Sequence, residues 1–531
     1  MQLNMNSFPF MHAATPILHR FELMDYIALL LLISFVSASI HVLASGLGGW
    51  KKKSGCLTSF PPGPKAFPIV GNISCLQELR SKPHQTLAKL SKQYGPLMTL
   101  KLGSTTTVVI SSPDTAKEAL QKHDQAFSSR TIPDAARASG HHKFSVAWLP
   151  ASTRWRSLRK VAAMEMFVTQ RLDATEAIRH KKVQELIAHI GASCNSGEAI
   201  HIGGVAFTTV FNVISNTLFS TDLAQYGSNT SQEFQALIMG TMEEGGRPNI
   251  ADYFPALRLF DPQGTRRRLT AYIANLFGIL DGIINERLQL RATSNASKAG
   301  SDVLDSLLSL VEDDNSELSY DDIKHLLLDL YSAGSDTKSS AVEWAMAELL
   351  HNPSKMAKVR EELKEVIGKD GLVQESDISK LPYLLATVKE TFRLHPPAPL
   401  LLPHKAEVDV EMCGFTVPKN AQILVNVWGM GRDSSIWPNP DQFSPERFLD
   451  KDIDYKGRNF ELIPFGAGRR ICPGLPLANR MVPLMLASLL HHFNWKLEDE
   501  MKPEDMDMRE TTFGITLRIA QPLRAIPIKS L

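Results

Sequence analysis

The chain has 531 residues, of which 44% are hydrophobic and 21% charged, a composition typical of a globular protein large enough to enclose a deep pocket. Its 57 basic and 56 acidic residues leave a formal net charge of +1, so no overall field favours nucleic acid as a partner. The five cysteines are widely spaced and form no C-x-x-C motif, which argues against a disulfide framework and against a zinc ribbon.

The first predicted element is a membrane anchor. The run from Tyr26 to Leu47 is apolar apart from His41, and about 20 such residues suffice to cross a bilayer. Lysines 51–53 follow it, and the positive-inside rule places that flank in the cytosol. A cleaved signal peptide is the alternative, but the lysines follow the apolar run, as in a stop-transfer signal. We therefore predict an N-terminal extension over residues 1–25 and a single transmembrane helix over 26–47.

A stiff segment separates this anchor from the body of the chain. The prolines of PPGP prevent a helix, so residues 48–65 are predicted to be a basic and proline-rich hinge before one domain over 66–531. The β-branched, alternating stretch 95–112 predicts a small hairpin, and most of the chain from there to Arg393 has helical periodicity. The sequence predicts a mainly α domain with a small β subdomain.

A long helix is predicted from about Tyr320 to Leu350. Ser319 to Asp322 resembles a capping box at its start, and Asn352-Pro353 ends it. Its middle carries SAGSDTKSS, in which residues 334–337 are poor formers of a helix interior. This run predicts a locally unwound turn, and a surface kink or a packing glycine is the alternative.

The most specific signal surrounds Cys472, in ELIPFGAGRRICPGLPLA. A thiolate that binds haem iron needs a rigid loop whose backbone N–H groups approach the sulfur, and glycines permit that approach. Phe465 can limit solvent at the sulfur, Arg470 can neutralise a haem propionate, and Gly474 lets a helix start beside the porphyrin. The alternative is a buried structural cysteine between turn residues.

This segment resembles the haem-binding signature of cytochromes P450, and the resemblance extends over nearly the whole chain. WRSLRK resembles the helix whose Trp155 and Arg159 reach a haem propionate, and AGSDT resembles the oxygen-activation stretch. KETFRLHPP contains Glu390 and Arg393 of an E-x-x-R motif, and PERF contains Arg447, their usual partner. Taken alone, E-x-x-R has little value, because Glu and Arg three apart are usually a solvated ion pair. Several motifs in the family's order are far more specific.

The resemblance implies the cytochrome P450 fold and a monooxygenase that uses O2 and haem b, with Cys472 as the axial thiolate. Thr337 and Asp336 would deliver protons to the bound oxygen. The Glu and Arg residues of the E-x-x-R cluster would be structural, fixing the cysteine loop under the haem. NADPH-cytochrome P450 reductase is the implied electron donor, and exposed basic residues such as Arg156 and Lys160 could form part of its docking face. The implied location is the endoplasmic reticulum membrane, with the catalytic domain in the cytosol.

Three segments indicate which group of cytochromes P450 the chain resembles. FELIPFGAGRRICPGLPLANRMV, EWAMAELLHNP and PPGP are similar to those of plant microsomal P450s that hydroxylate terpenoids, the geraniol-hydroxylase group and its diterpenoid-oxidising relatives. A small apolar substrate, most simply a terpenoid, is therefore expected, and a phenolic, alkaloid or xenobiotic substrate is the alternative. Leu400, Leu401 and Leu402 suit an apolar pocket, although strand packing explains each leucine equally well. The predicted pocket walls are residues 130–149, 330–334, 397–403 and 511–516.

Two other functions compete with the monooxygenase. A P450-fold isomerase or dehydratase would act on a peroxide without a reductase, but such enzymes usually lack the Asp-Thr pair that Asp336 and Thr337 form here. A haem carrier or sensor without catalysis would need neither a proton relay nor pocket walls.

Two residues depart from the family pattern. Lys338 stands where the family usually has Thr or Ser, so a cation is expected near the proton channel or on the outer side of the helix. His404 stands where relatives commonly carry Arg for a haem propionate, and a partly charged imidazole should hold the propionate more weakly. His141 and His142 are interpreted as surface residues, with a place in the pocket as the alternative.

Overall fold

The computed structural model describes residues 59–68, 70–72, 82–293, 302–313, 318–369, 371–512 and 514–529. The predicted N-terminal extension, the predicted anchor and the first part of the hinge lie outside these residues. The described chain is mostly helical with small sheets, so the predicted class of the domain is confirmed.

The helices begin where the sequence provides a cap or a proline. Ser152, Asp302 and Ser319 each accept a hydrogen bond from a backbone N–H in the first helical turn, and Pro83 and Pro353 occupy first helical positions, where no N–H is needed. The α-helices are α1 Pro83–Tyr94, α2 Pro113–Lys117, α3 Thr153–Ala162, α4 Thr169–Ala174, α5 Glu176–Ser193, α6 Ile202–Phe219, α7 Asn229–Gly246, α8 Ile250–Tyr253, α9 Thr265–Thr293, α10 Val303–Glu312, α11 Tyr320–His351, α12 Pro353–Ile367, α13 Pro382–Leu394, α14 Val427–Met430 and α15 Leu475–His492.

Shorter helical segments join these helices. Two π-helical turns continue α2 and α3, over Glu118–Lys122 and Ala163–Phe167. The 3-10 segments are Ala135–Lys143, Pro255–Leu259, Glu375–Lys380, Pro445–Phe448, Gly468–Arg470, Glu498–Glu500 and Pro503–Asp505.

The strands form three small sheets. They are β1 Leu97–Leu102, β2 Thr105–Ile110, β3 Ser129–Arg130, β4 Ile200–His201, β5 His404–Lys405, β6 Val410–Met412, β7 Phe415–Val417, β8 Gln422–Val425, β9 Phe493–Leu497 and β10 Arg524–Lys529. The largest sheet has the order β1-β2-β8-β5-β3, in which β1 and β2 form the predicted hairpin and β2 pairs parallel to β8. The other sheets have the orders β4-β10-β9 and β6-β7.

The core is built around α6 and α11. Among the described residues, α6 is the one helix long and apolar enough to cross a membrane, but 78% of it is buried in the protein. Its apolar surface on nearly every side is that of a central core helix. Phe211 of α6 packs its ring 5.0 Å from that of Tyr331 on α11, and Tyr331 donates a hydrogen bond to Ser215 Oγ at 3.0 Å.

The predicted helix is present as α11, with the predicted capping box at Ser319 and Asp322. The unwound turn expected within it is wrong, because the helix is continuous over Tyr320–His351. Thr337 and Lys338 donate to the carbonyls one turn earlier, at 2.7 and 2.9 Å, so these polar side chains do not compete with the helix. Gly334 is the packing glycine of the alternative, since a Cβ there would lie 2.8 Å from Ile214 Cδ1 of α6.

Candidate active site

Cys472 lies in the loop between the 3-10 turn Gly468–Arg470 and the start of α15. Its own N–H donates to the Phe465 carbonyl at 2.9 Å. Burial raises the pKa of the Cys472 thiol, while the N–H groups of Gly474 and Leu475, which donate to the sulfur, act in the opposite direction. The loop thus offers the anionic sulfur the backbone donors that a thiolate ligand needs.

Glycine is required at two positions of this loop. Gly466 and Gly468 have φ values of +72° and +65°, a region that L-residues rarely adopt. A Cβ on Gly468 would also lie 2.0 Å from the Leu120 carbonyl oxygen, so the loop is pressed against the π-helical turn after α2. The Phe465 ring packs 5.2 Å from that of Phe392 on α13. These contacts fix the position of the sulfur.

Arg470 is buried and bonded to backbone on both sides. Its Nε donates to Ser128 O at 2.6 Å, and Nη2 donates to Leu149 O. Its guanidinium lies 4.1 Å above the Trp155 ring, whose own N–H donates to Val146 O at 3.1 Å. Trp155 therefore positions Arg470, and its donor already has a partner.

Arg130 and Arg159 lie close to Arg470, and within the described part of the chain none of the three forms an ion pair with a carboxylate. Burial, and then the positive charges of Arg470 and Arg159, lower the pKa of Arg130 well below its ordinary value. Arg130 donates to Leu402 O at 2.7 Å, but its buried Nε has no hydrogen-bond partner among the residues that the structure describes. Arg159 donates to the Ile471 carbonyl beside Cys472. A cluster of three cations, of which Arg130 and Arg470 are buried and Arg159 is half-buried, is suited to a ligand with carboxylates, as haem has, so these residues fit the expected cofactor.

His404 is buried, and its surroundings disfavour the charged form of its imidazole. Burial, together with the charges of Arg130 and Arg470, lowers the pKa of His404 well below its ordinary value. Its Nδ1 lies 2.8 Å from the Phe127 carbonyl oxygen, to which it donates. The imidazole at this position is therefore expected to carry less positive charge than the sequence predicts, because β5 encloses the ring among arginines.

Glu390, Arg393 and Arg447 form one buried ion cluster. Arg393 donates to both carboxylate oxygens of Glu390, at 2.7 and 2.8 Å, and neither side chain is exposed. Arg447 Nε donates to Glu390 Oε1 at 3.0 Å, and the Ser444 N–H donates to the same oxygen at 2.7 Å. Arg393 also donates to the carbonyls of Gly431, Pro440 and Gln442. The cluster ties α13 to the long loop that precedes the cysteine.

The middle of α11 is exposed on one narrow face. Ala333 is exposed, and Gly334 and Thr337 are half-buried, whereas Ser332, Ser335, Asp336 and Lys338 are buried. Thr337 donates to Ala333 O at 2.7 Å. Asp336 is 2% exposed and pairs with Arg518, whose Nε lies 2.8 Å from Oδ1 and whose Nη2 donates to Oδ2 at 3.1 Å. The carboxylate is thus held by a residue near the C-terminus.

Lys338 is buried, so its expected place on the outer side of the helix is excluded. Its ammonium and the Cys472 sulfur act on each other's pKa, which places this turn of α11 near the cysteine loop.

A cavity of about 610 Å³ is lined by Arg130 of the arginine cluster, but Cys472, Thr337 and Lys338 are not among its lining residues. Three of the four predicted walls contribute to its lining, through Arg130 to Pro133, Pro399 to Pro403, and Thr511, Thr512 and Gly514 to Leu517. The segment 330–334 is not among its lining residues. Residues between 245 and 258, from the last turn of α7 onward, form a further wall of the cavity. This wall was not predicted, because the segment has no motif.

His141 is buried, so its interpretation as a surface residue is wrong. Its Nδ1 lies 2.8 Å from His325 Nδ1, and its Nε2 lies 3.1 Å from Asp329 Oδ1, both on α11. His142 is half-buried. The 3-10 segment that carries both folds back onto the helices, a placement that local sequence does not specify.

Sequence comparisons agree with this geometry. A family model described as Cytochrome P450 matches residues 61–522. A protein named Cytochrome P450 76T24 from Catharanthus roseus is 54% identical over 95% of this chain and 99% of its own length. Geraniol 8-hydroxylase of the same plant is 49% identical over 95% of this chain and 99% of its own length. Ferruginol synthase of Isodon rubescens is 45% identical over 95% of this chain and 100% of its own length.

Proposed function

Because the chain belongs to the cytochrome P450 family, we propose that it hydroxylates a small terpenoid at a haem held by Cys472. The family consists of haem-thiolate enzymes with haem b, and the chain is a monooxygenase. The identity of the ligand residue rests on the Cys472 loop, whose N–H groups donate to the sulfur. The preference for a terpenoid rests on the relatives named geraniol 8-hydroxylase and ferruginol synthase.

Bound haem supplies the activation of O2, one atom of which enters the C–H bond of the substrate while the other leaves as water. We assign the protein's part in this reaction to four groups. Arg130, Arg159 and Arg470 neutralise the propionates, Arg159 also anchors the cysteine loop through Ile471 O, and Thr337 binds a water at the exposed face of α11.

Proton delivery is assigned to Thr337 and Asp336. The Thr337 hydroxyl donates to Ala333 O, which leaves it able to accept a hydrogen bond from a water in the pocket. Asp336 passes protons to that water when Arg518 releases one of its two oxygens. Arg518 is therefore a positioning residue for the acid.

The cavity supports a small apolar substrate. Its volume of about 610 Å³ lies within the range of small-molecule sites. Leu87, Leu100, Leu400 and Ile515 contribute apolar surface to its lining. Burying that surface against a hydrocarbon substrate contributes about 25 cal/mol per Å² of apolar area.

A binding spectrum tests the substrate class. Monoterpenols, abietane diterpenes and phenolic amines are titrated into the ferric protein while the Soret band is followed. We expect a low-to-high-spin shift with a terpenoid, and we expect Ile515→Trp to weaken it by filling the cavity. The exposed Leu372→Trp is the matched control. A spin shift with the phenolic amines alone would favour the alternative substrate class over a terpenoid. If the ferrous protein with carbon monoxide lacks the spectrum of a haem-thiolate, the proposed haem site is refuted.

We also propose that NADPH-cytochrome P450 reductase donates the electrons. Arg156 and Lys160 are exposed on α3, one helical turn apart, while Arg159 of the same helix contacts the cysteine loop. A docked reductase would thus lie close to the thiolate side of the haem. Lys160→Glu should slow reductase-supported turnover more at low salt than at high salt, whereas the exposed Lys496→Glu should not.

The proposed location is the endoplasmic reticulum membrane, with one N-terminal span and the domain in the cytosol. Phe60, Phe67, Leu259 and Phe260 are 62%, 60%, 85% and 77% exposed, which is unusual for large apolar side chains and suits a membrane surface. The turn between β1 and β2 joins their two segments, since Gly103 and Ser104 donate to carbonyls of Val70 and Tyr253.

The glycosylation state of Asn229 tests this topology. Asn229 begins an Asn-Thr-Ser sequon and is exposed at the start of α7, so a lumenal domain would be glycosylated there. We expect no change in gel mobility after endoglycosidase treatment of the chain made with microsomes. A mobility change that Asn229→Gln abolishes would reverse the proposed orientation.

A further inference from the structure

Lys338 is a buried lysine without an acidic partner. It is 5% exposed, and its Nζ donates to Gly334 O at 2.9 Å. Among the residues that the structure describes, no carboxylate forms an ion pair with it, although a buried lysine is usually paired. The nearest acid in sequence, Asp336, is held by Arg518.

The surroundings of Lys338 leave its charge uncompensated. A Cβ on Gly334 would lie 3.7 Å from the Lys338 Nζ and 2.8 Å from Ile214 Cδ1 of α6. The ammonium therefore lies close to the contact between α11 and α6. The sequence of α6 contains no ionisable side chain. Burial lowers the pKa of Lys338 to about 8, and the negative charge of Cys472 opposes that shift. The Lys338 ammonium and the Cys472 sulfur are therefore close enough for their charges to interact.

We propose that Lys338 raises the reduction potential of the haem iron by placing a positive charge near the iron–thiolate site. This inference rests on the proposed haem-thiolate function. Reduction of the iron adds one electron from the reductase and breaks no bond. The added negative charge is stabilised by a nearby cation, whereas the Thr or Ser of the family pattern would supply no charge.

The expected size follows from Coulomb's law. For two unit charges separated by about 10 Å in an effective dielectric constant of about 20, Coulomb's law gives an energy that corresponds to a roughly tenfold change in the ratio of ferrous to ferric protein at a fixed potential. For a one-electron couple this corresponds to about 59 mV. A protein with this charge accepts its first electron more readily before substrate binds.

A redox titration of the purified haem protein tests the proposal. Lys338→Met keeps the length of the side chain and removes the charge, so the ratio of ferrous to ferric protein at a fixed potential should fall about tenfold. Lys338→Arg should retain the wild-type ratio. Lys324→Met is the matched control on the same helix, because Lys324 already pairs with Asp281 at 3.0 Å.

The variant should fold, because an apolar replacement of a buried unpaired charge is often stabilising. A ferrous-to-ferric ratio in Lys338→Met within twofold of wild type, with a haem-thiolate spectrum, would overturn the proposal. Lys338→Thr is the second variant and should show the same loss. If both variants fail to retain haem, Lys338 is a packing residue and the proposal is also refuted.

Discussion

Replacing Glu390 by Gln should detach the cysteine loop from its support. The change removes one negative charge from between Arg393 and Arg447, which donate to it at 2.7 to 3.0 Å. Arg393 has no exposed surface, so its charge would be left buried and uncompensated. Breaking such a pair costs about 3–5 kcal/mol, a large part of the roughly 5–15 kcal/mol that typically stabilises a folded domain.

We expect Glu390→Gln to retain little haem after purification, rather than to turn over slowly. The measurement combines urea unfolding, followed by tryptophan fluorescence, with the haem-to-protein absorbance ratio. Lys380→Gln is the matched control: Lys380 pairs with Asp377 at the same spacing and 3.0 Å, but its side chain is 61% exposed. Such a pair contributes at most about 1 kcal/mol. Equal unfolding free energies and full haem in both variants would refute the reasoning.

Three further changes are predicted. Thr337→Ala should raise hydrogen peroxide release relative to product, and unchanged coupling would exclude the proposed proton relay. Although burial alone would raise the pKa of Glu510, its bond to His84 and nearby charges lower that pKa to about 2. The ionised carboxylate therefore stabilises the folded protein by about 3 kcal/mol above pH 4.5, and this stabilisation is lost as the pH falls to 2. In acid unfolding, Glu510→Gln should not show this decrease in the free energy of unfolding. Gly468→Ala should abolish haem binding through its contact at 2.0 Å, whereas Gly140→Ala, with a similar φ of +70° and nothing within 4 Å, should cost only about 1–2 kcal/mol in urea unfolding.

Local patterns were enough to predict some of these features. The start of α11 was predicted from Ser319 and Asp322, whose side chains form hydrogen bonds with the backbone within one helical turn. The close approach of backbone to sulfur at Cys472 follows from glycines adjacent in sequence. Both depend on chain geometry over fewer than about ten residues, which sequence periodicity and turn chemistry describe well.

Features that depend on tertiary contacts were not predicted. Arg130 reaches the arginine cluster because β3 pairs with β5, and Arg518 reaches Asp336 from a distant part of the chain. Neither arginine belongs to a motif. The sequence also predicted an unwound turn at Gly334, where α11 is continuous. The poor helix propensity of glycine is outweighed there by packing against Ile214, which only the folded protein brings into contact.

The strand order of the largest sheet means that the sheet can be completed only late in protein synthesis. Thr107 of β2 donates to Gln422 of β8, 315 residues later in the chain, and β8 lies between the hairpin and the rest of the sheet. At about 5–20 residues per second, the ribosome needs on the order of 15–60 s to make the intervening chain. During that time one edge of β2 has no partner strand and is open to pairing with other chains. The first strands to be made are thus among the last to be completed, and chaperones that cover them should raise the yield of folded protein.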